Sequence, residues 1–202
     1  DDGVDLLFNI EHAKFADGTI AISPEPIVNG IAAGDNAGES VAGIGDINKD
    51  GFDDFIVGAP GVAAGTGAAY VVFGGANGLP PALDLSTLNG TTGFSLSGVA
   101  GGDKTGFSVA GAGDINKDGY ADFIVGALDA DLHGTDSGAA YVVFGHGGSF
   151  NSSLNLSGLN GTNGFQIGGV AVSDLFGGSV QSAGDINGDG YAYIVIGADA
   201  RD

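Results

Sequence analysis

The chain has 202 residues, 43% of them hydrophobic, which is enough for one packed domain or part of a larger one. Its 25 acidic residues against 5 basic ones give a net charge of −20, which argues against a nucleic-acid interface or binding to an anionic membrane, because both need a basic surface. With no cysteine there are no disulfides, zinc–thiolate sites or cysteine nucleophiles, and no apolar run approaches the ~20 residues of a membrane-spanning helix.

In chain order, residues 1–25 stand apart from the rest. The opening Asp1-Asp2-Gly3 is not a signal sequence and reads as the interior of a longer precursor. Within this segment Asp17-Gly18 reads as a hairpin turn between Phe15 and Ile20. From residue 26 onward the chain repeats itself. Residues 26–29 match the last strand of a unit, and two full units follow at about 38–97 and 106–168. A third begins near 176 and supplies only its first two strands by residue 202.

Each unit reads as four short strands, because β-branched and aromatic runs alternate with glycine, asparagine and aspartate. The first strand is Ser40–Ile44, repeated at Phe107–Gly111 and Gly178–Gln181. The second is Phe55–Val57, repeated at Phe123–Val125 and Ile194–Ile196. The third is Ala68–Phe73, repeated at Ala139–Phe144, and the fourth is Gly93–Ser97, repeated at Gly164–Gly168. The unbroken apolar run Tyr70–Phe73 implies burial on both faces of the sheet. No segment reads as a helix. The spacing is 68 residues from Asp46 to Asp114 and 71 from Asp114 to Asp185, and the extra three residues fall in a surface loop at 127–137.

Between the first and second strands stands an acidic loop, repeated three times. Loop one offers Asp46, Asn48 and Asp50, the carbonyl of Phe52, and Asp54. Loop two offers Asp114, Asn116 and Asp118, the carbonyl of Tyr120, and Asp122. Loop three offers Asp185, Asn187 and Asp189 with the carbonyl of Tyr191, but has Tyr193 at the ninth position. All-oxygen sets of this kind suit Ca2+ better than magnesium, and Gly51 permits the turn around an ion. An EF-hand is rejected, since its twelfth-position Glu would fall on Val57 or Val125, inside a strand. The expectation is two calcium sites and a weaker third that lacks a carboxylate. The competing reading is a set of ion-free Asp/Asn-Gly turns.

The run Gly106-Phe-Ser-Val-Ala-Gly-Ala-Gly-Asp-Ile-Asn-Lys-Asp-Gly-Tyr-Ala-Asp-Phe-Ile-Val-Gly-Ala127 resembles the FG-GAP repeat of integrin alpha subunits and their bacterial relatives, and residues 34–60 and 174–198 carry the same pattern. The resemblance implies an all-β fold of β-propeller blades, each of four antiparallel strands with a calcium loop between its first two. It implies a ring that normally closes with seven blades, of which this chain supplies two full and two partial ones. A fragment of a larger secreted protein is the favoured account, with self-association or other chains completing the propeller, or an open array of blades, as the alternatives. The segment Leu7–Ile20 is similar to the linker that follows calcium repeats in bacterial RTX exoproteins.

No nucleophile elbow, phosphate loop or histidine-based metal motif is present, so no enzyme is expected. His133, beside Asp129, Asp131 and Asp136 in the inserted loop, reads as solvated surface, with a second cation site as the sharper alternative. The expected function is a calcium-stabilised adhesion or ligand-binding module at the cell surface or outside the cell, with a protein or surface glycan as partner and the 127–137 loop as its recognition element. The alternatives are an accessory region of a secreted enzyme and a structural spacer in a giant adhesin.

Overall fold

The structure, a computed structural model, describes residues 4–6 and 26–199. The hairpin expected at Asp17-Gly18, together with His12, lies outside the described residues. The chain is all-β. Its strands are β1 (Val4–Leu6), β2 (Ile27–Asn29), β3 (Ser40–Gly45), β4 (Asp54–Ala59), β5 (Ala68–Val72), β6 (Ala82–Asp84) and β7 (Gly93–Ser97). They continue with β8 (Thr105–Gly113), β9 (Asp122–Ala127), β10 (Ala139–Val143), β11 (Ser153–Asn155), β12 (Gly164–Gly168), β13 (Ser179–Gly184) and β14 (Tyr193–Gly197). Among the described residues the helical content is three single turns, at Val62–Gly65, where Ala63 and Ala64 have left-handed backbone, at Leu85–Thr87 and at Leu156–Gly158.

Strands β3, β4, β5 and β7 form one antiparallel meander, and β8, β9, β10 and β12 repeat it. Strands β13 and β14 form the first hairpin of a third. The sheets approach one another most closely along their first strands, β3 beside β8 and β8 beside β13, so they fan out from a common edge as propeller blades do.

Period-two alternation explains why the third strands are apolar throughout. In β5, Ala69 and Val71 face the following sheet, and Ala68, Tyr70 and Val72 face the preceding one. In β10, Ala139, Tyr141 and Val143 face back and Ala140 and Val142 face forward. Every residue of both strands is buried, and the result is one apolar layer between each pair of consecutive sheets. The layer between the two complete blades is the largest and holds Phe73, Phe94 and Phe123 with the Phe150 ring packed among them. Each fully buried side chain of this size contributes about 1.5–3 kcal/mol.

Two features differ from the sequence reading. The first strand of the second blade runs from Thr105, because Thr105 bridges to Gly67 and stitches that strand to the preceding blade. A fifth short strand also exists. Strand β6 pairs in parallel with β2, and β11 pairs in parallel with β7, so each unit lends a strand to the outer edge of the sheet before it. Three-residue strands with a single inward side chain carry too little periodicity to be read from sequence.

Close backbone approach fastens blade to blade. Gly58 lies against the Gly106 carbonyl, and Gly126 repeats this against Gly177. Lys104 and Thr105 donate their backbone N–H groups to Gly65 and Thr66, and Leu175 and Phe176 do the same to Asp136 and Ser137.

Candidate metal centre

Each acidic loop leaves its first strand through a bulge, at Gly43/Gly45, Gly111/Gly113 and Ser182/Gly184. The bulge ends on a glycine with φ of 73° at Gly45 and Gly113 and 67° at Gly184. The chain then turns back so that side-chain oxygens point inward and accept the loop's own amides.

The three loops share one hydrogen-bond pattern. The third-position Asn accepts from the fifth residue's N–H, at 2.8 Å for Asn48, 2.9 Å for Asn116 and 3.0 Å for Asn187. The fifth-position Asp accepts from the seventh residue's N–H, at 2.9, 2.9 and 2.8 Å. One oxygen of the first Asp accepts from the glycine at position six, at 2.9 Å for Asp46, 2.8 Å for Asp114 and 2.7 Å for Asp185. That glycine has φ of 94°, 86° and 85° in Gly51, Gly119 and Gly190, a region side-chain-bearing residues rarely adopt. The fourth residue is also left-handed, and loop three has Gly188 where the others hold Lys49 and Lys117.

The ninth-position aspartates do more than the sequence reading gave them. Asp54 accepts the N–H of Ile47 at 3.0 Å with one oxygen and that of Gly74 at 2.9 Å with the other. Asp122 repeats this with Ile115 at 2.8 Å and Gly145 at 2.9 Å. Each carboxylate therefore latches its loop to the end of the third strand. Burial pushes both carboxyls up to about 6, against the pull of the two amides, and the neighbouring loop carboxylates add to the rise. Tyr193 makes no such latch, and its hydroxyl accepts from the Asn187 amide at 2.8 Å.

The second-position isoleucine differs in burial from loop to loop. Ile47 is fully buried in the inter-blade core, whereas Ile186 is 68% exposed. Asp185, Asn187 and Asp189 are all exposed.

The donors are mixed: two or three carboxylates, an amide oxygen and a carbonyl. Among the described residues no three His, Asp or Glu side chains converge on one point. The donor chemistry nevertheless fits a hard cation, and one atom argues for it. Asp114 Oδ1 is buried and has no hydrogen-bond partner. A carboxyl oxygen shut away without a partner is costly, and a cation among the loop-two donors would satisfy it.

The inserted loop gathers less than its composition suggested. Asp129 pairs with Lys104 at 2.7 Å, Asp131 accepts the N–H of Asp136, and the His133 ring meets the Gly169 carbonyl at 2.7 Å. Leu128, Ala130 and Ser137 are buried, so its exposed part is the tip formed by Asp131–His133 and Thr135.

Sequence reasoning missed a second repeated aspartate. Asp35, Asp103 and Asp174 each accept the N–H three residues earlier, from Ala32, Ala100 and Ala171, in the turn before each first strand. The recurring Gly-(Ile/Val)-Ala-x-x-Asp at 30–35, 98–103 and 169–174 was the available signal.

The repeat is of the integrin alpha-like type, a non-catalytic structural unit found typically in extracellular proteins, and no helix among the described residues is long and apolar enough to cross a membrane. The FG-GAP repeat family matches residues 37–72 and 105–143, stretches that cover the first three strands and the acidic loop of both complete blades, and the chain therefore carries two FG-GAP repeats.

Proposed function

We propose that this chain is a calcium-stabilised binding module of an extracellular or cell-surface protein. Asp46, Asn48, Asp50, the Phe52 carbonyl and Asp54 hold one ion. Asp114, Asn116, Asp118, the Tyr120 carbonyl and Asp122 hold a second. Asp185, Asn187, Asp189 and the Tyr191 carbonyl form a weaker third site, because Tyr193 replaces a carboxylate. The single observation behind the reading is the unpartnered Asp114 Oδ1 in a loop whose other oxygens are in place. The ion's role is structural: it offsets repulsion between carboxylates and holds the turn that joins the two innermost strands of each blade.

Recognition of a protein or a surface glycan falls to loops rather than strands, and the exposed tip of the 127–137 insertion is the first candidate. Residues 26–202 act as the blade array and residues 1–25 as a linker. Calorimetric titration of the metal-free chain with Ca2+ tests the first part, and no heat at millimolar calcium refutes it. Saturable, calcium-dependent binding of the immobilised chain to cell-surface protein or glycan tests the second. A chain that takes up calcium but binds neither is the structural spacer instead.

A further inference from the structure

Lys49 and Lys117 occupy the fourth position of loops one and two, with φ of 58° and 61°. Neither side chain folds back on its own loop. Lys49 Nζ lies 4.3 Å from the centre of the Tyr120 ring, in loop two. Lys117 Nζ lies 3.5 Å from the centre of the Tyr191 ring, in loop three, and donates to the Asp189 carbonyl. A backbone bond runs beside each reach, from Ala121 N–H to the Asp46 carbonyl and from Ala192 N–H to the Asp114 carbonyl. The sixth-position glycine leaves room for the ammonium: a Cβ on Gly119 would stand 2.5 Å from Lys49 Nζ, and one on Gly190 3.1 Å from Lys117 Nζ. The chain has only 5 basic residues, and two of them make this same contact one repeat apart.

Both tyrosines stand at the seventh position, whose carbonyl belongs to the donor set of the next loop. The lysine root lies at the apex of the loop before. We infer that Lys49 and Lys117 are positioning residues that couple each cation-binding loop to the next, so that the loops fill as a linked series. The inference rests on the calcium reading of the loops. An ion in loop two fixes the backbone at Lys117, which holds the Tyr191 ring, so loop three then orders with less entropy to lose. The linkage is reciprocal. Loop three receives Lys117 and sends nothing onward, because its fourth residue is Gly188. It also lacks the ninth carboxylate, so its affinity depends most on its neighbour.

The ammonium also opposes a cation electrostatically, so the test reads coupling rather than bare affinity. The amides of Gly51, Gly119 and Gly190 each bond the first aspartate of their loop and report the three sites separately in a 1H–15N titration of the full chain with Ca2+. Asp118→Asn weakens loop two while leaving an oxygen for the Tyr120 N–H, and the Gly119 signal verifies the loss. In an otherwise wild-type chain this change should raise the Gly190 midpoint about threefold, the size an exposed cation–π contact carries. In Lys117→Met the same change should leave Gly190 unmoved, and Lys117→Arg should restore the response. A Gly190 midpoint indifferent to Asp118→Asn overturns the coupling, and a threefold response that survives Lys117→Met overturns the lysine's part in it. If none of the three glycines moves in millimolar calcium, the calcium reading fails and takes the coupling with it.

Discussion

Replacing Gly58 by alanine tests whether blades are held by backbone contact. A Cβ on Gly58 would stand 3.0 Å from the Gly106 carbonyl carbon and 3.4 Å from its Cα, with the carbonyl oxygen overlapped outright. Every atom met is backbone, so no rotamer change relieves the clash. Ordinary carbon contacts of about 3.5–4.0 Å return only if the two sheets part by roughly an ångström, which loosens the inter-blade core. Overpacking of this kind costs about 1–3 kcal/mol, and the upper half of that range applies where nothing flexible can yield. Restricting the unfolded chain returns about 0.4–1 kcal/mol. The net loss is about 2 kcal/mol, or a fall in Tm of about 4–8 °C for a chain of this size. Gly43, in the neighbouring strand, would place its Cβ in open space, so Gly43→Ala should raise Tm by about 1–3 °C. Calorimetry at fixed calcium compares the two. Equal shifts, or a Gly58→Ala chain that melts with the wild type, would refute the contact argument.

Removing calcium should lower Tm by about 10 °C or more, since two sites at about 100 times Kd contribute ~2.7 kcal/mol each; an unchanged melt in excess EDTA counts against the calcium reading. In calcium, Asp50→Ala should cost more than Asp189→Ala, and equal costs would undo the ranking of the sites. Asp122→Asn should cost about 1–3 kcal/mol even in EDTA, because an amide cannot accept from both Ile115 and Gly145, and a loss seen only in calcium would make the latch secondary to the ion. Asp103 is buried, and burial first, then Asp131, raises its carboxyl above the ordinary 3.8 while the Ala100 amide pulls the other way. Its native form holds the proton more tightly than the unfolded chain, so its contribution is complete below pH 3.8 and is lost as pH rises through the raised native value. Urea midpoints of Asp103→Asn in EDTA should therefore gain on the wild type with rising pH, and a constant difference would contradict this.

The strands and the acidic loops were legible because both rest on local chemistry. Apolar runs such as Ala68–Val72 between glycines form strands wherever they are buried, and Asp, Asn and Gly at fixed offsets build the same turn three times. The sequence by itself therefore determined the four-strand unit, its period and the candidate donors. Only the tertiary structure decided which contacts join one unit to the next. The parallel pairing of β11 with β7, the Gly58–Gly106 approach and the reach of Lys117 to Tyr191 all link residues of different units, far apart in the chain. Such contacts depend on how consecutive sheets are rotated about their shared edge, and no periodicity within a single strand encodes that rotation.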